Sequence, residues 1–153
     1  MRGDNIKVLF VCTGNTCRSV MAEATFNVLN TNDNISSSSA GMSAALDSFA
    51  SKYAVQILRN KYRVNILGRK ATQVQDYMIK EADLILTMTS SIKYVLNKRY
   101  GECRDKIFTL KEYSGEISSL DISDPYGGDI EVYSVCHFEI EKCIKKVLEK
   151  INS

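Results

Sequence analysis

Residues 6–19 read IKVLFVCTGNTCRS, and this stretch carries the strongest structural signal in the chain because it joins a predicted strand to a predicted helix. Ile6 to Val11 form a mostly apolar run of strand length. After a loop that contains glycine and asparagine, apolar side chains recur at Val20, Ala24 and Val28, a spacing typical of a helix. A strand that passes through a tight loop into a helix is the repeating unit of an α/β fold.

The rest of the chain repeats this alternation. Strands are predicted over residues 6–11, 35–40, 83–88 and 106–110, and helices over 19–31, 51–62, 89–100 and 130–151. Residues 111–129 are predicted to form a loop. Such alternation favours a parallel sheet covered by helices on both faces. We therefore predict a single domain over residues 1–153, a three-layer α/β/α fold with a four-stranded parallel sheet and about five helices.

The charge balance gives no reason to expect a polyanionic or membrane partner. Lysine and arginine number 20 against 18 acidic residues, a net charge of +2, and the basic residues are scattered. We therefore expect no nucleic acid partner. No run reaches the roughly 18 apolar residues of a membrane span, and the polar N-terminus lacks a secretory pattern. These features predict a cytoplasmic protein without a membrane partner, which we expect to be a monomer.

Cysteine usage predicts reduced thiols rather than a disulfide scaffold. The five cysteines, an odd number, are Cys12, Cys17, Cys103, Cys136 and Cys143. A structural zinc site would need pairs at C-x-x-C spacing or companion histidines, but His137 is the only histidine in the chain. We therefore predict no bound metal and no cofactor.

The loop after the first strand has the composition of a phosphate-binding nest. The backbone N–H groups of such a loop converge on one point, and the dipole of the following helix adds positive potential there. Gly14 and Asn15 tolerate the left-handed backbone that turns these groups inward. Arg18, at the helix start, offers a planar fork suited to two phosphate oxygens. We therefore predict that residues 12–18 bind a phosphate group.

Cys12 lies at the bottom of this nest and is the candidate nucleophile. A helix N-terminus and a cationic neighbour both stabilise a thiolate, and Ser19 can donate a hydrogen bond to it. A thiolate stabilised in this way needs no histidine base. A cysteine that ends an apolar strand is also commonly a small buried hydrophobe. The agreement of strand, nest and helix favours the catalytic interpretation.

Phosphoryl transfer from a thiolate also requires a proton for the leaving group, and Asp124 is the best candidate donor. It opens the segment DPYGGD at 124–129, and Pro125, the single proline of the chain, stiffens the backbone beside it. Tyr126 could form a wall of the pocket with its ring. The same residues also fit a plain Asp-Pro turn that closes a long loop.

These residues resemble the low-molecular-weight protein tyrosine phosphatases. The resemblance rests on VCTGNTCRS over 11–19, MAE over 21–23, SAG over 39–41, ADL over 82–84 and the Asp-Pro pair at 124–125. It implies phosphorylated protein substrates, a phosphocysteine intermediate on Cys12, phosphate binding by Arg18 and the loop amides, and Asp124 as general acid and then base. The predicted phosphate- and substrate-binding residues are Thr13, Gly14, Asn15, Thr16, Cys17, Ser19 and Tyr126.

Two departures from the family pattern concern rigidity and the pocket rim. Val20 stands where the family usually has proline, which removes some rigidity from the first helical turn but no catalytic group. Gly127 follows Tyr126 where animal members have a second aromatic residue. We therefore expect a more open rim.

Thr16 bears on substrate choice. Tyrosine-directed members commonly have an apolar residue here, whereas threonine, with the Asp-Pro-aromatic-Gly-Gly segment and residues 108–113, resembles the bacterial protein arginine phosphatases of the same family. A hydroxyl in the wall penalises a polar guanidinium stem less than a methyl group does. One hydroxyl gives only modest discrimination, so phosphoarginine is favoured and phosphotyrosine remains the alternative.

The family resemblance also implies that Cys17 can form a reversible disulfide with Cys12, which would protect the nucleophile from over-oxidation. The other three cysteines are expected to be structural.

Two other functions share parts of this pattern. A thioredoxin-coupled arsenate reductase has the same Cys-x5-Arg loop but needs two further cysteines near the site, and it leaves Asp124 unexplained. A phosphate-binding module without catalysis is disfavoured because Cys12, Arg18 and Asp124 occur together. A nucleotide hydrolase of the P-loop type is excluded by the missing Gly-Lys-Ser/Thr motif.

Overall fold

The apolar strand β1, Ile6–Cys12, lies inside a four-stranded parallel sheet with the order β2-β1-β3-β4. A computed structural model describes residues 5–153 of the chain. The strands are β1 (Ile6–Cys12), β2 (Ile35–Gly41), β3 (Leu84–Thr87) and β4 (Ile107–Thr109). The helices are α1 (Arg18–Leu29), α2 (Lys52–Tyr62), α3 (Asp76–Glu81), α4 (Ser90–Arg99), α5 (Leu110–Tyr113) and α6 (Ile130–Asn152), with a 3₁₀ helix over Gly101–Lys106.

Alternate residues of β1 pack into two separate cores, one on each face of the sheet. Val8, Phe10 and Cys12 contribute to the core beneath α1, α2 and α6. Leu9 and Val11 contribute to the core beneath α3 and α4. Because both faces are covered, the strand reads as an apolar run rather than as an alternating pattern. The predicted three-layer α/β/α fold with a four-stranded parallel sheet is confirmed.

The sequence patterns locate all four strands, but they miss three short helical segments. The prediction of a loop over 111–129 is wrong at its start, because α5 (Leu110–Tyr113) continues directly from β4. Its N-terminus is stabilised by a capping box, in which Thr109 and Glu112 each accept a hydrogen bond from the other's backbone N–H. Helix α3 has a single buried residue, Ile79, so it shows no apolar period. With the 3₁₀ helix, the described residues form seven helical segments rather than about five.

Helix α6 is the longest element and covers the face of the sheet that carries Cys12. Its buried residues include Tyr133, Ile140, Ile144 and Val147, a spacing that matches one helix face. It contacts both α1 and α2. Neither α6 nor any other helix within residues 5–153 is long and apolar enough to cross a membrane.

Candidate active site

Cys12 is the last residue of β1, and the strand beside it determines how the following loop leaves the sheet. The carbonyl oxygen of Cys12 accepts a hydrogen bond from Met42 N at 2.9 Å, and that of Thr13 accepts one from Ser43 N at 2.9 Å. At Gly41, a Cβ atom would lie 2.6 Å from the Thr13 oxygen and 3.0 Å from Asn15 N. Glycine is therefore required at position 41 for the loop to pack against β2.

The loop turns back on Cys12 through Asn15, which has a left-handed backbone with φ of 56°. This conformation directs Asn15 N toward Cys12 Sγ, at 3.2 Å. Ser19, in the first turn of α1, places its Oγ 2.8 Å from the same sulfur. The side chain of Cys12 is buried, with an exposed fraction of 2%. Asn15 N and Ser19 Oγ therefore converge on a buried sulfur.

The buried side chain of Asn15 holds Ser19 and Ser39 beside the loop. Asn15 Nδ2 donates to Ser19 Oγ at 2.8 Å and to Ser39 Oγ at 3.0 Å. Asn15 Nδ2 takes one of the two lone pairs of Ser19 Oγ, and the serine hydroxyl hydrogen can donate to Cys12 Sγ when Cys12 is a thiolate. Asn15 Oδ1 accepts from Thr72 N at 2.9 Å and from Arg69 Nη1 at 3.2 Å. The amide thus uses both donors and both acceptor positions.

Arg69 connects this amide to an ion pair that sequence reasoning missed. Its Nη2 donates to Glu23 Oε1 at 2.9 Å and to Ser39 Oγ at 2.9 Å. Ser39 Oγ in turn donates to Glu23 Oε1 at 2.5 Å. Both charged side chains are about three-quarters buried. The loop over residues 12–18 therefore rests on a network of charged and polar groups contributed by α1, β2 and the segment before α3.

Arg18 is buried beside the loop and partly held by the protein. Its Nη1 donates to Ile122 O at 3.1 Å, and its Nη2 lies 3.7 Å from Asp124 Oδ2. Its Nε is buried and has no hydrogen-bond partner among the described residues. A buried guanidinium with an unused N–H is suited to an anion bound in the loop.

Asp124 reaches the same place from the segment before α6. Its carboxylate is about half exposed, and Oδ1 accepts from Tyr126 N at 3.0 Å. The turn closes through a hydrogen bond from Gly128 N to Pro125 O at 2.9 Å, with Gly127 at a left-handed φ of 82°. Tyr126 is 83% exposed at the rim. The resulting cleft has a volume of about 220 Å³ and is lined by residues 12–18, Asp124 and Tyr126.

Cys17 occupies the N-cap position of α1, without a side-chain capping bond, and lines the same cleft as Cys12. Burial, followed by the charge of Cys12, raises the pKa of the Cys17 thiol above its ordinary value. Cys17 is therefore a neutral thiol at physiological pH. The Thr16 backbone is held by a hydrogen bond from Ser51 N to Thr16 O at 2.9 Å, while its side chain lines the cleft. All five cysteines are unpaired and buried.

The structure brings the ten predicted site residues to one place. Nine of them line the cleft, and the tenth, Ser19, contacts Cys12 Sγ. The sequence patterns did not reveal Arg69 as part of the site because its contacts with Glu23 and Asn15 span 46 and 54 residues. Glu23 and Ser39 stand within the motifs of the resemblance, but no local pattern showed that they meet.

Residues 7–153 match the family model of the low molecular weight phosphotyrosine protein phosphatases. The chain belongs to this family. A protein-arginine-phosphatase of Bacillus subtilis is 36% identical over 146 residues, which cover 94% of this chain and 95% of that protein.

Solved structures support the same membership. A low molecular weight protein tyrosine phosphatase from T. tengcongensis is 41% identical, covers 95% of this chain and 99% of its own, and superposes with a TM-score of 0.89. A mutant of the arginine phosphatase YwlE with a phosphorylated active-site serine is 35% identical, covers 97% of each chain and has a TM-score of 0.88. The relatives of this family member thus include both arginine and tyrosine phosphatases.

Proposed function

We propose that this family member is a cysteine-dependent protein phosphatase in which Cys12 is the nucleophile, Arg18 binds the phosphate and Asp124 transfers protons. The observation that carries the proposal is the convergence of Ser19 Oγ and Asn15 N on Cys12 Sγ, at 2.8 and 3.2 Å, in a cleft that Arg18 and Asp124 share. Family membership and the phosphatase activity named for its relatives point to the same reaction.

In the first step, the Cys12 thiolate attacks phosphorus and displaces the leaving group of the substrate. The bond from phosphorus to the substrate oxygen or nitrogen breaks, and protonated Asp124 gives its proton to the departing atom. The N–H groups of residues 13–18 and the Arg18 guanidinium balance the charge on the phosphoryl oxygens. The product is a phosphocysteine, and the relative with a phosphorylated active-site serine supports such an intermediate.

In the second step, a water molecule attacks the phosphorus of the phosphocysteine, and the Asp124 carboxylate takes a proton from this water. The sulfur–phosphorus bond breaks, inorganic phosphate forms and Cys12 returns to the thiolate. The Ser19 hydroxyl, whose oxygen lies 2.8 Å from Cys12 Sγ, can donate a hydrogen bond to this departing sulfur as its negative charge develops. The contact of 3.7 Å between Arg18 and Asp124 supports a role for the aspartate at the phosphate itself.

For the substrate, we propose phosphoarginine in proteins, with phosphotyrosine as the second candidate. Thr16 lines the cleft, and relatives at 36% and 41% identity carry the arginine and the tyrosine activity, respectively. Tyr126 supplies an exposed aromatic rim against which either a guanidinium or a phenyl ring can stack. The threonine favours the polar guanidinium stem.

A two-stage assay tests this proposal. Purified protein should release phosphate from para-nitrophenyl phosphate, and Cys12→Ser should abolish the release. Full activity of the Cys12→Ser variant, or no activity of the unsubstituted protein, would refute the phosphatase function.

Peptides with phosphoarginine and phosphotyrosine are then compared, and Thr16→Ile should shift the ratio of their kcat/KM values toward phosphotyrosine. A preference of the unsubstituted protein for phosphotyrosine would overturn the arginine assignment alone.

The remaining expectations belong to the same proposal. The catalytic domain is proposed to span residues 1–153 and to act as a cytoplasmic monomer, with no nucleic acid partner. A reversible disulfide between Cys12 and Cys17 would protect the nucleophile, and the proximity that lets the charge of Cys12 raise the pKa of Cys17 supports it. Arsenate reduction is disfavoured because it leaves the placement of Asp124 in the cleft without a role.

A further inference from the structure

Ser123, the residue before the proposed acid, has both of its backbone polar groups directed at side chains of α6. Ser123 N donates to Glu139 Oε1 at 3.4 Å. Ser123 O accepts from the Cys136 thiol at 3.4 Å from Sγ. Glu139 and Cys136 are three positions apart and lie on neighbouring turns of the same helix face. The segment that carries Asp124 is therefore attached to α6 by two hydrogen bonds, one from Ser123 N and one to Ser123 O.

Glu139 is itself held by a second element. Its other carboxylate oxygen, Oε2, lies 3.0 Å from Lys111 Nζ. The Lys111 side chain is 11% exposed, so this ion pair is shielded from solvent on the lysine side. Lys111 belongs to α5 (Leu110–Tyr113). Glu139, on α6, thus connects α5 with the segment that carries Asp124. A carboxylate with both oxygens engaged has a fixed orientation.

Cys136 has the protonation state that its contact requires. Its side chain is 1% exposed, and burial raises the pKa of its thiol to about 12. The thiol is therefore protonated at neutral pH and donates to Ser123 O.

The Asp124 carboxylate is 56% exposed, and its contacts are a local hydrogen bond from Tyr126 N at 3.0 Å and a longer approach of 3.7 Å to Arg18. Its direction therefore depends strongly on the backbone that carries it. Other anchors of the segment lie earlier in the chain, at Asp121, whose Oδ1 accepts from Ser90 N at 2.7 Å, and at Ile122. Ile122 N donates to Met88 O at 2.8 Å, and Ile122 O accepts from Arg18 Nη1 at 3.1 Å. Those two bonds fix Ile122 relative to the sheet and the phosphate-binding arginine. The direction in which the chain continues to Asp124 is then set at Ser123.

We propose that Glu139, supported by Lys111 and assisted by Cys136, is a positioning residue that aims the Asp124 carboxylate at the leaving group. This inference rests on the proposed role of Asp124 as general acid. None of the three residues lines the cleft. They act through the Ser123 backbone, and their loss leaves Arg18 and the nucleophile loop in place.

The test is the dependence of kcat/KM on the leaving group, since this constant reports the steps through formation of the phosphocysteine. Phenolate is a poor leaving group that needs the acid, whereas para-nitrophenolate needs it little. Glu139→Met should lower kcat/KM about tenfold for phenyl phosphate but about twofold or less for para-nitrophenyl phosphate. Glu139→Gln should recover only part of the loss, because its single amide oxygen can accept from Ser123 N or from Lys111 Nζ but not from both. Inhibition by inorganic phosphate should be unchanged, since it reports the loop and Arg18.

Control variants separate positioning from loss of stability. Glu149→Met makes the same change at an exposed site near the other end of α6 and should affect neither substrate. Cys136→Ser keeps a donor to Ser123 O and Cys136→Ala removes it, so the alanine variant should show the larger preference for the good leaving group. Thermal unfolding of each variant checks that the protein remains folded. Equal losses on both substrates for Glu139→Met would contradict the inference.

A double-mutant cycle with Asp124→Asn distinguishes the inference from the function on which it rests. If Asp124 is the acid, Asp124→Asn alone should lower kcat/KM for phenyl phosphate far more than for the nitrophenyl ester, and Glu139→Met should add little to it. If Asp124→Asn shows no dependence on the leaving group, the proposed acid role fails. If Asp124→Asn shows that dependence, but Glu139→Met lowers kcat/KM as much in the Asp124→Asn protein as in the unsubstituted protein, the acid role stands and the positioning role fails.

Discussion

Gly41 and Thr13 approach each other so closely that a Cβ at position 41 would lie 2.6 Å from the Thr13 carbonyl oxygen. This contact joins the end of β2 to the start of the nucleophile loop. Beside it, Cys12 and Gly41 are partners in the register of the two strands. The position of the nucleophile therefore depends on the absence of a side chain on the neighbouring strand.

Gly41→Ala should consequently disturb the loop. The methyl group meets backbone atoms of residues 13–15, which cannot move without shifting Cys12. We expect a loss of about 1–3 kcal/mol in the free energy of unfolding and a clear fall in kcat with para-nitrophenyl phosphate. Gly101→Ala is the matched control, since a Cβ there meets nothing within 4 Å. Normal activity and stability of Gly41→Ala would show that the loop can relax away from β2.

Ser19→Ala should slow both chemical steps because it removes the hydroxyl 2.8 Å from Cys12 Sγ. A hydrogen bond to a charged group contributes about 1.5–3 kcal/mol, so kcat should fall by about 10- to 100-fold. The substitution also leaves Asn15 Nδ2 without one acceptor, although Ser39 Oγ remains. Ser134→Ala, at an exposed position of α6, is the control. A kcat within twofold of the unsubstituted protein would contradict the donor role of Ser19.

Arg69→Met should weaken the support of the nucleophile loop without touching the substrate. The substitution removes the donors to Asn15 Oδ1 and Ser39 Oγ and leaves the Glu23 carboxylate partly buried without its cation. We expect a several-fold fall in kcat and a loss of about 1–3 kcal/mol of stability in chemical denaturation.

Lys70→Met is the adjacent control for Arg69. Lys70 pairs with Asp47 at 3.4 Å, but both side chains are about 70% exposed, and such pairs contribute little. The Lys70 variant should therefore behave like the unsubstituted protein in both measurements. If the two variants lose the same activity and stability, the effect of Arg69 is a general effect of charge and not of its contacts.

The sequence predicted those parts of the fold and the site that depend on local pattern. Strand β1 and the loop from Cys12 to Ser19 were found because apolar runs, glycine and asparagine leave a signal within a few residues. Helix α5 was missed since it is four residues long and depends on a capping box rather than on apolar spacing. The partners of Arg69, like those of Glu139, lie far away in sequence. Such contacts are set by packing, and a single sequence carries no local trace of them.

Because His137 is buried, we expect the folded protein to lose stability on mild acidification. Its ring is buried at the junction of three helices, where Nε2 lies 3.2 Å from Thr25 Oγ1 on α1 and 3.0 Å from the Tyr62 hydroxyl on α2. Burial lowers the pKa of His137 below its ordinary value of 6.5, with Glu141 opposing this shift and Lys61 adding to it. The unfolded chain therefore binds a proton at a higher pH than the folded protein does.

The sign follows from this difference in proton binding. The stability contributed by neutral His137 is fully present above about pH 6.5, and it is lost as the pH falls from there toward the lower pKa of the folded state. Within this window the slope should approach, and not exceed, about 1.4 kcal/mol per pH unit. Urea unfolding between about pH 7.5 and pH 5 measures it, above the range in which ordinary carboxylates titrate. His137→Gln keeps a donor toward the two hydroxyls but cannot titrate, so its stability should be nearly constant over the same range. A parallel fall in both proteins would assign the acid sensitivity to other groups.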